Sequence, residues 1–398
     1  MGDKYTFRLS DNDTYRKYVL LEYSDMKISL FLCFSSILFS SCIDRINIKV
    51  PDSYSSQLVV DGLVTDEQGP YTIKLSKATR VEKFLLLNTE VVSNARITIS
   101  DNAGTSEILT EMEPGTYQTK VSGIHGVVGR SYSVKIETKD GRIFESIPDT
   151  MSPVGELDDL YYEFESYLPL NDQTRYGFRI YIDASGVPDM DNLVRWKFTA
   201  VAEVDADPKL HVYDSKGCSP DPPICSGWIS GEFGLQKVSE NCTCCTCWVT
   251  RYEDKPHVSD NRFVSNGKAK RIEVGYIPLE YFPFLKGKYR AEVKQMSLSK
   301  EAFAYWQLIL SQKDGAASLF QPPTGKIRSN LFEKNGDGQV LGFFYASAIK
   351  TKQLYLGHED VKVKFSRIPI WDCEKGIIAE SCLLAFPNSS NQPPADWK

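Results

Sequence analysis

Gln-Leu-Val-Val-Asp-Gly-Leu-Val, at residues 57–64, is the stretch that decides the fold class. Apolar and β-branched residues dominate it, which is typical of a β-strand. Short segments of the same character follow without an intervening helical pattern, at 71–75, 95–99, 107–110, 116–118 and 132–136. Turn sequences such as Lys139-Asp-Gly-Arg142 separate them. We therefore predict a β-sandwich over residues 56–150.

The residues beyond 150 predict a second domain, 151–398, that is also β-rich. Strand candidates occur at 160–164, 176–182, 194–200, 289–293, 340–345 and 361–365. One helix is predicted over 299–312, because Ser299 is a suitable N-cap and apolar residues then recur at helical spacing. The predicted fold class is mainly β, with a sandwich followed by a β-rich domain that carries one packed α-helix.

An export signal is predicted near the N-terminus, at residues 26–41. Lys27 precedes an apolar run at 28–39, which is shorter than the ~20 residues of a membrane-spanning helix and suits a signal peptide. Ser40 and Ser41 then precede Cys42, an order that resembles the lipobox of bacterial lipoproteins. We predict that Cys42 carries acyl chains that anchor the protein to a membrane.

The segments on either side of this signal have separate interpretations. Residues 1–25 are charged and contain no apolar run, so we expect translation to start at Met26 and these residues to be an upstream extension. Residues 42–55 have few core-forming features and are predicted to tether the folded part to the membrane.

Ten cysteines are present, and eight remain after Cys33 and Cys42 are set aside. An exported chain enters an oxidising compartment, so disulfides are the default for an even set. The simplest bridge joins the last two, and the other six lie in a Cys-rich loop at 216–247. Zinc or a redox pair is the alternative for the interleaved C-x-x-C spacings. The disulfide candidates are Cys218, Cys225, Cys242, Cys244, Cys245, Cys247, Cys373 and Cys382.

Composition and motifs argue against several function classes. A balance of 46 Lys and Arg against 52 Asp and Glu argues against nucleic-acid binding. We find no sequence motif of a hydrolase, metalloprotease or nucleotide-binding enzyme, and we expect no cofactor and no catalytic residue. Asp183, Asp189 and Asp191 are interpreted as solvated loop carboxylates rather than a calcium site. The segment 333–338 is interpreted as a turn.

Several stretches together resemble a family of Bacteroidetes outer-membrane lipoproteins, the domain of unknown function 4249. They are Leu58-Val-Val-Asp-Gly-Leu-Val-Thr65, Ala95-Arg-Ile-Thr-Ile-Ser-Asp101, Gly115-Thr-Tyr117, Leu298-Ser-Lys-Glu-Ala-Phe-Ala-Tyr-Trp306, Pro322-Pro-Thr-Gly-Lys-Ile-Arg-Ser-Asn330, Val340-Leu-Gly-Phe-Phe344 and Pro393-Pro-Ala-Asp-Trp397. The resemblance implies a transthyretin-like or immunoglobulin-like first domain. It also implies a lipid-anchored, non-enzymatic outer-membrane protein that serves a TonB-dependent transporter and captures an unknown nutrient ligand.

Two other readings of the sequence stay open. One is an outer-membrane hydrolase whose site is assembled only in the fold, and the other is a structural or adhesive surface lipoprotein. The sequence assigns no ligand-binding residue, and the face of the outer membrane on which the protein lies is open as well.

Overall fold

The computed structural model describes residues 57–78, 90–167, 175–206, 224–259, 263, 267–279, 285–315, 327–363, 381–386 and 388–398. These residues belong to one compact unit, Ser53–Lys398. The predicted extension, signal peptide and tether lie outside the described residues, and so do Cys42, Cys218 and Cys373.

The described residues contain twenty-three strands, two α-helices and two short 3₁₀ helices. The strands up to residue 150 are β1 (Leu58–Thr65), β2 (Thr72–Lys77), β3 (Glu90–Val91), β4 (Arg96–Asp101), β5 (Ser106–Ile108), β6 (Thr110–Glu113), β7 (Thr116–Gln118), β8 (Ser131–Glu137), β9 (Ile143–Ser146) and β10 (Asp149–Thr150). The later strands are β11 (Glu156–Tyr167), β12 (Arg175–Ser185), β13 (Val194–Asp205), β14 (Trp228–Gly231), β15 (Gly234–Lys237), β16 (Thr246–Tyr252), β17 (His257–Val258), β18 (Lys268–Pro278), β19 (Leu285–Ser297), β20 (Leu331–Glu333), β21 (Val340–Ser347), β22 (Ile349–Leu356) and β23 (Ser389–Ser390). The helices are α1 (Lys300–Gly315) and α2 (Cys382–Ala385).

Two sheets form the N-terminal sandwich. The first has the order β21-β1-β2-β7-β6 with β3 beside β2, and the second has the order β20-β9-β8-β4-β5 with β10 beside β8. Apolar residues that alternate along β1, β2, β4 and β8 face inward and form one core. The predictions of a mainly β protein and of a sandwich near the N-terminus are confirmed.

The N-terminal sandwich also contains residues that the sequence assigned to the second domain. Strand β21 runs parallel to β1 in a register from Leu58 beside Val340 to Thr65 beside Ser347, and β20 pairs with β9. Gly342 makes this approach possible, since its φ is +87° and a Cβ there would lie 1.9 Å from the carbonyl oxygen of Val60. The predicted boundary between 150 and 151 therefore does not separate the two sandwiches, because a parallel partner can come from anywhere in the chain.

The second sandwich packs the three-stranded sheet β11-β12-β18 on the sheet β22-β19-β13-β16-β23, in which β17 also pairs with β13. Its core includes Phe178, Trp196, Phe198 and Val293. The strand predicted at 361–365 is wrong over 361–363, which follow a short 3₁₀ turn and lie in no strand. The rest of that segment lies outside the described residues.

Helix α1 lies against both sandwiches. Ser299 caps it as predicted: the Ala302 N–H donates to the Ser299 hydroxyl at 3.1 Å. The helix begins and ends close to the predicted bounds of 299 and 312. Its fully buried Ala302 belongs to a small core with Phe343 and Tyr345 of β21 and Met296 of β19. Within the described residues, neither helix has the length and apolar character to cross a membrane.

Candidate functional site

Three disulfides organise the Cys-rich region. Cys225 pairs with Cys244, and Cys242 pairs with Cys245. Together with the third disulfide, Cys247–Cys382, they account for six of the eight candidate cysteines. The proposed bridge between Cys373 and Cys382 is wrong, because Cys382 pairs with Cys247. Spacing along the chain favoured the short loop, whereas α2 packs beside β16 in the fold and brings Cys382 to Cys247. Among the described residues no group of His, Cys, Asp or Glu has the arrangement of a metal site.

A hairpin formed by β14 and β15 projects from this region. The two strands pair from Trp228 beside Lys237 to Gly231 beside Gly234, and the Cys225–Cys244 disulfide adjoins its base. Phe233 at the tip is 94% exposed. Ile224, in the short 3₁₀ helix that precedes β14, is 90% exposed. The hairpin therefore holds large apolar side chains in solvent.

Charged residues adjoin Phe233 and Val238 in the sequence of this hairpin. The Lys237 ammonium forms an exposed ion pair with Glu240, at 2.5 Å, and Glu232 lies next to Phe233 in the turn. Phe233 was not among the residues predicted from the sequence to be functional. The signal was present in Gly231-Glu-Phe-Gly234, where glycines on both sides of an apolar residue indicate a turn that exposes it.

A second group of polar residues lies where α1 meets both sandwiches. The buried guanidinium of Arg195, on β13, donates to the carboxylate of Glu253. It also stacks on the Trp306 ring of α1, 3.7 Å from the ring centroid. The second oxygen of Glu253 accepts from the Phe198 N–H at 3.2 Å. This pair is enclosed by protein on both sides, with 9% and 11% of the two side chains exposed.

Aromatic side chains complete the junction. The Tyr305 ring of α1 lies 4.8 Å from the Phe343 ring of β21, measured between centroids. Burial raises the pKa of Tyr345 to about 12, although the Arg195 charge acts in the opposite direction. Burial also raises the pKa of Tyr305, and the nearby Asp61 carboxylate adds to this effect. These tyrosines are therefore neutral at physiological pH.

Two of the carboxylates considered for calcium take part in ordinary protein contacts, and Asp191 lies 3.3 Å from the Lys300 ammonium. Asp183 accepts from the Lys270 ammonium at 2.7 Å and from the Arg271 N–H at 2.9 Å. In the 333–338 turn, Glu333 accepts two hydrogen bonds from the guanidinium of Arg142, at 2.7 and 3.0 Å. These contacts satisfy Asp183 and Glu333, and the turn interpretation of 333–338 agrees with the structure.

A cavity of about 340 Å³ lies at one edge of the N-terminal sandwich. Its lining contains both apolar and charged side chains, and the charged residues are Lys77, Lys139, Asp140 and Arg142. Next to this cavity, the structure describes the chain up to residue 78 and again from residue 90.

These features define a class of protein: two β-sandwiches joined by a helix, with a disulfide-tied hairpin that exposes apolar side chains. The chain belongs to the family described as Domain of unknown function (DUF4249), whose family model matches residues 43–353. The predicted family is thereby confirmed, while its lipoprotein and outer-membrane character stays a prediction.

Other comparisons add little. No curated protein matches the chain. Among solved structures it is similar to trypsin-activated alpha-2-macroglobulin from Escherichia coli, with 15% identity and a TM-score of 0.15. The match covers 64% of this chain and 15% of that chain. At this TM-score the similarity carries no argument about fold or function.

Proposed function

We propose that this protein is a lipid-anchored, non-enzymatic protein of the outer membrane that assists a TonB-dependent transporter by capturing its nutrient. The anchor is Cys42, which follows a signal-like sequence and two small residues. Several acyl chains on one cysteine give stable attachment, since each buried CH₂ contributes about 0.8 kcal/mol.

The observation that carries the partner role is the exposed apolar surface of the β14–β15 hairpin and of the residues that flank it. Ile224, Phe233 and Val238 are 90%, 94% and 58% exposed. Exposed apolar side chains of this size contribute nothing to the core, yet disulfides hold their module in place. Apolar groups rimmed by charges, here Lys237 and Glu240, are the usual anatomy of a protein-binding surface. The occupant we propose is the transporter.

Membrane attachment is tested with Cys42→Ala in the native host. We expect the wild-type protein in the membrane fraction, with an intact mass that includes acyl chains on Cys42. The variant should move to the soluble fraction. A wild-type protein with a free thiol at position 42, or a Cys42→Ala protein that stays in the membrane, would refute the anchor.

The partner role is tested by affinity purification of the tagged, full-length protein in mild detergent. We expect a TonB-dependent outer-membrane barrel to co-purify at a near-stoichiometric ratio. Phe233→Ser should lower its recovery by about fivefold or more, as for a central interface side chain. Ile147→Ser is the matched control, because Ile147 is a 58% exposed apolar residue of the N-terminal sandwich. Failure of any barrel to co-purify with the wild type, or equal losses for both variants, would refute this role.

A further inference from the structure

The cavity at the edge of the N-terminal sandwich, which we call the edge cavity, has walls from both sheets. Leu58 of β1 and Lys77 of β2, which pair with each other, come from the first sheet. Phe144 of β9 and the turn 138–142 between β8 and β9 come from the second. The cavity volume is about 340 Å³, which is at the lower end of the range for small-molecule sites. The edge cavity therefore has the size of a site for a small ligand.

The inner part of the edge cavity is apolar. Leu58 and Phe144 are buried and belong to the core of the N-terminal sandwich. Val92 packs against the same core. Val91, which also lines the cavity, is 48% exposed. The cavity therefore extends from solvent to the core, and its inner surface suits the apolar body of a ligand.

Arg142 is fixed above this apolar surface. The Glu333 carboxylate accepts from its Nε at 2.7 Å and from its Nη2 at 3.0 Å. The guanidinium carbon lies 4.8 Å from the centroid of the Phe144 ring. The third nitrogen, Nη1, makes no hydrogen bond with any residue in the described part of the chain. Arg142 therefore has one N–H group in a fixed position that is available to a ligand.

Two lysines add positive charge to the lining. Lys139 is exposed in the turn between β8 and β9, and it forms no ion pair with a described residue. The Lys77 ammonium lies 2.5 Å from the Glu90 carboxylate, and the two side chains are 41% and 55% exposed. An ion pair as exposed as this one contributes little free energy. Both ammonium groups are therefore able to interact with an anionic ligand.

Asp140 is the one carboxylate among the described residues that line the cavity. Its Oδ1 accepts a hydrogen bond from the Thr138 hydroxyl at 2.5 Å. This bond is the main reason why the pKa of Asp140 is lowered. The carboxylate is thus held within its own turn, and the lining contains three cations against this one anion. An anionic ligand group is favoured over a cationic one.

We propose that the edge cavity binds a small apolar carboxylic acid. The apolar body of the ligand lies on Leu58, Val91 and Phe144. Its carboxylate accepts from Nη1 of Arg142 and pairs with Lys139, because charge-assisted hydrogen bonds to arginine are strong and directional. Every residue of this site lies in the described part of the chain. The inference goes beyond the proposed function and requires neither the lipid anchor nor the transporter.

The test is isothermal titration calorimetry with 3-phenylpropanoate on the full-length protein. A sterol-based detergent keeps the protein in solution, since its rigid body is too large for the cavity. We expect 3-phenylpropanoate to bind, and the neutral 3-phenylpropanamide to bind at least about tenfold more weakly, because it lacks the charge. Propanoate, which lacks the ring, should also bind at least about tenfold more weakly. Absence of binding by 3-phenylpropanoate, or equal binding by either analogue, would overturn the proposal.

A lysine variant tests the charged end of the site. Lys139→Met should weaken binding of 3-phenylpropanoate by about fivefold, as for one exposed charge pair. Lys120→Met is the matched control, because Lys120 is also an exposed lysine of the N-terminal sandwich but does not line the cavity. It should bind like the wild type. Wild-type affinity in Lys139→Met, or the same loss in Lys120→Met, would overturn the assignment.

A valine variant tests the apolar wall. Val91→Asp adds a negative charge beside the ligand and should weaken binding at least about tenfold. Val128→Asp is the matched control, because Val128 is 44% exposed and does not line the cavity. Both positions are on the surface, so neither variant alters the core. Equal affinities of Val91→Asp and the wild type, or equal losses in both variants, would show that the ligand binds elsewhere.

Discussion

The guanidinium of Arg195 stacks on the Trp306 ring at 3.7 Å from its centroid, and this contact joins the second sandwich to α1. The same guanidinium satisfies the buried carboxylate of Glu253. Because α1 also packs on Phe343 and Tyr345 of the N-terminal sandwich, the arginine stabilises the junction between the two sandwiches.

Arg195→Met should destabilise the protein by about 3 to 5 kcal/mol, since it leaves the Glu253 carboxylate buried without a partner. Adding Glu253→Gln should recover part of that loss. Urea unfolding gives both values. Lys77→Met serves as the control, because the ion pair of Lys77 with Glu90 is exposed and should be worth less than about 1 kcal/mol. Similar losses for Arg195→Met and Lys77→Met would show that the buried ion pair contributes no more to stability than the exposed one.

The Cys247–Cys382 disulfide should contribute more to stability than the Cys242–Cys245 disulfide. Its cysteines are 135 residues apart, against 3 for the other pair. Loop-closure entropy predicts about 5 kcal/mol for the long loop and about 2 kcal/mol for the short one. Thermal unfolding of the two double-alanine variants makes the comparison. Equal or reversed losses would be inconsistent with this account.

Gly342→Ala should be strongly destabilising, for two reasons that a control can separate. Gly342 has a positive φ, and its new Cβ would lie 1.9 Å from the Val60 carbonyl oxygen. Gly104 has a similar φ of +90°, but a Cβ there would meet nothing within 4 Å. We expect Gly104→Ala to cost about 1 kcal/mol from backbone conformation alone. Gly342→Ala should exceed it by at least about 2 kcal/mol, measured by urea unfolding. Equal costs would exclude the close approach of β21 to β1.

We expect the free energy of unfolding to decrease as the pH is lowered from neutral, and His257 to cause part of this decrease. Burial lowers the pKa of His257 below its ordinary value of 6.5, and Glu253 and Glu273 oppose this while Lys255 and Arg195 add to it. The unfolded state therefore binds a proton at a higher pH than the folded state does. The contribution of neutral His257 is complete above pH ~6.5 and is lost as the pH falls towards the lower, folded-state pKa.

His257→Gln should flatten the free energy of unfolding between about pH 7.5 and 5. Chemical denaturation at several pH values measures the slope. Measurements near pH 8.5, where His257 is neutral in both states, provide the baseline for any packing change. An identical slope in the variant and the wild type would show that other groups cause the pH dependence.

Local features of the sequence predicted the local structure well. Apolar and β-branched residues at 57–64 predicted β1, and Ser299 predicted the start of α1, because strand and helix preferences depend on residues that are near in the chain. The apolar turn at Gly231-Glu-Phe-Gly234 was also readable in the sequence, although its importance became clear only from the exposure of Phe233.

Long-range partners were the part that sequence reasoning missed. The pairing of β1 with β21 and the bond between Cys247 and Cys382 join residues far apart in the chain.

The sequence by itself determined the family, the mainly β character, the helix and its cap, and the predicted attachment signal at Cys42. Each of these depends on neighbouring residues or on a short motif. Only the tertiary structure decided which cysteines pair, which strands complete the N-terminal sandwich and which residues meet at the junction with α1. The physical reason is that packing a shared core selects these long-range contacts, and that selection depends on the shape of the whole chain rather than on any one segment of it.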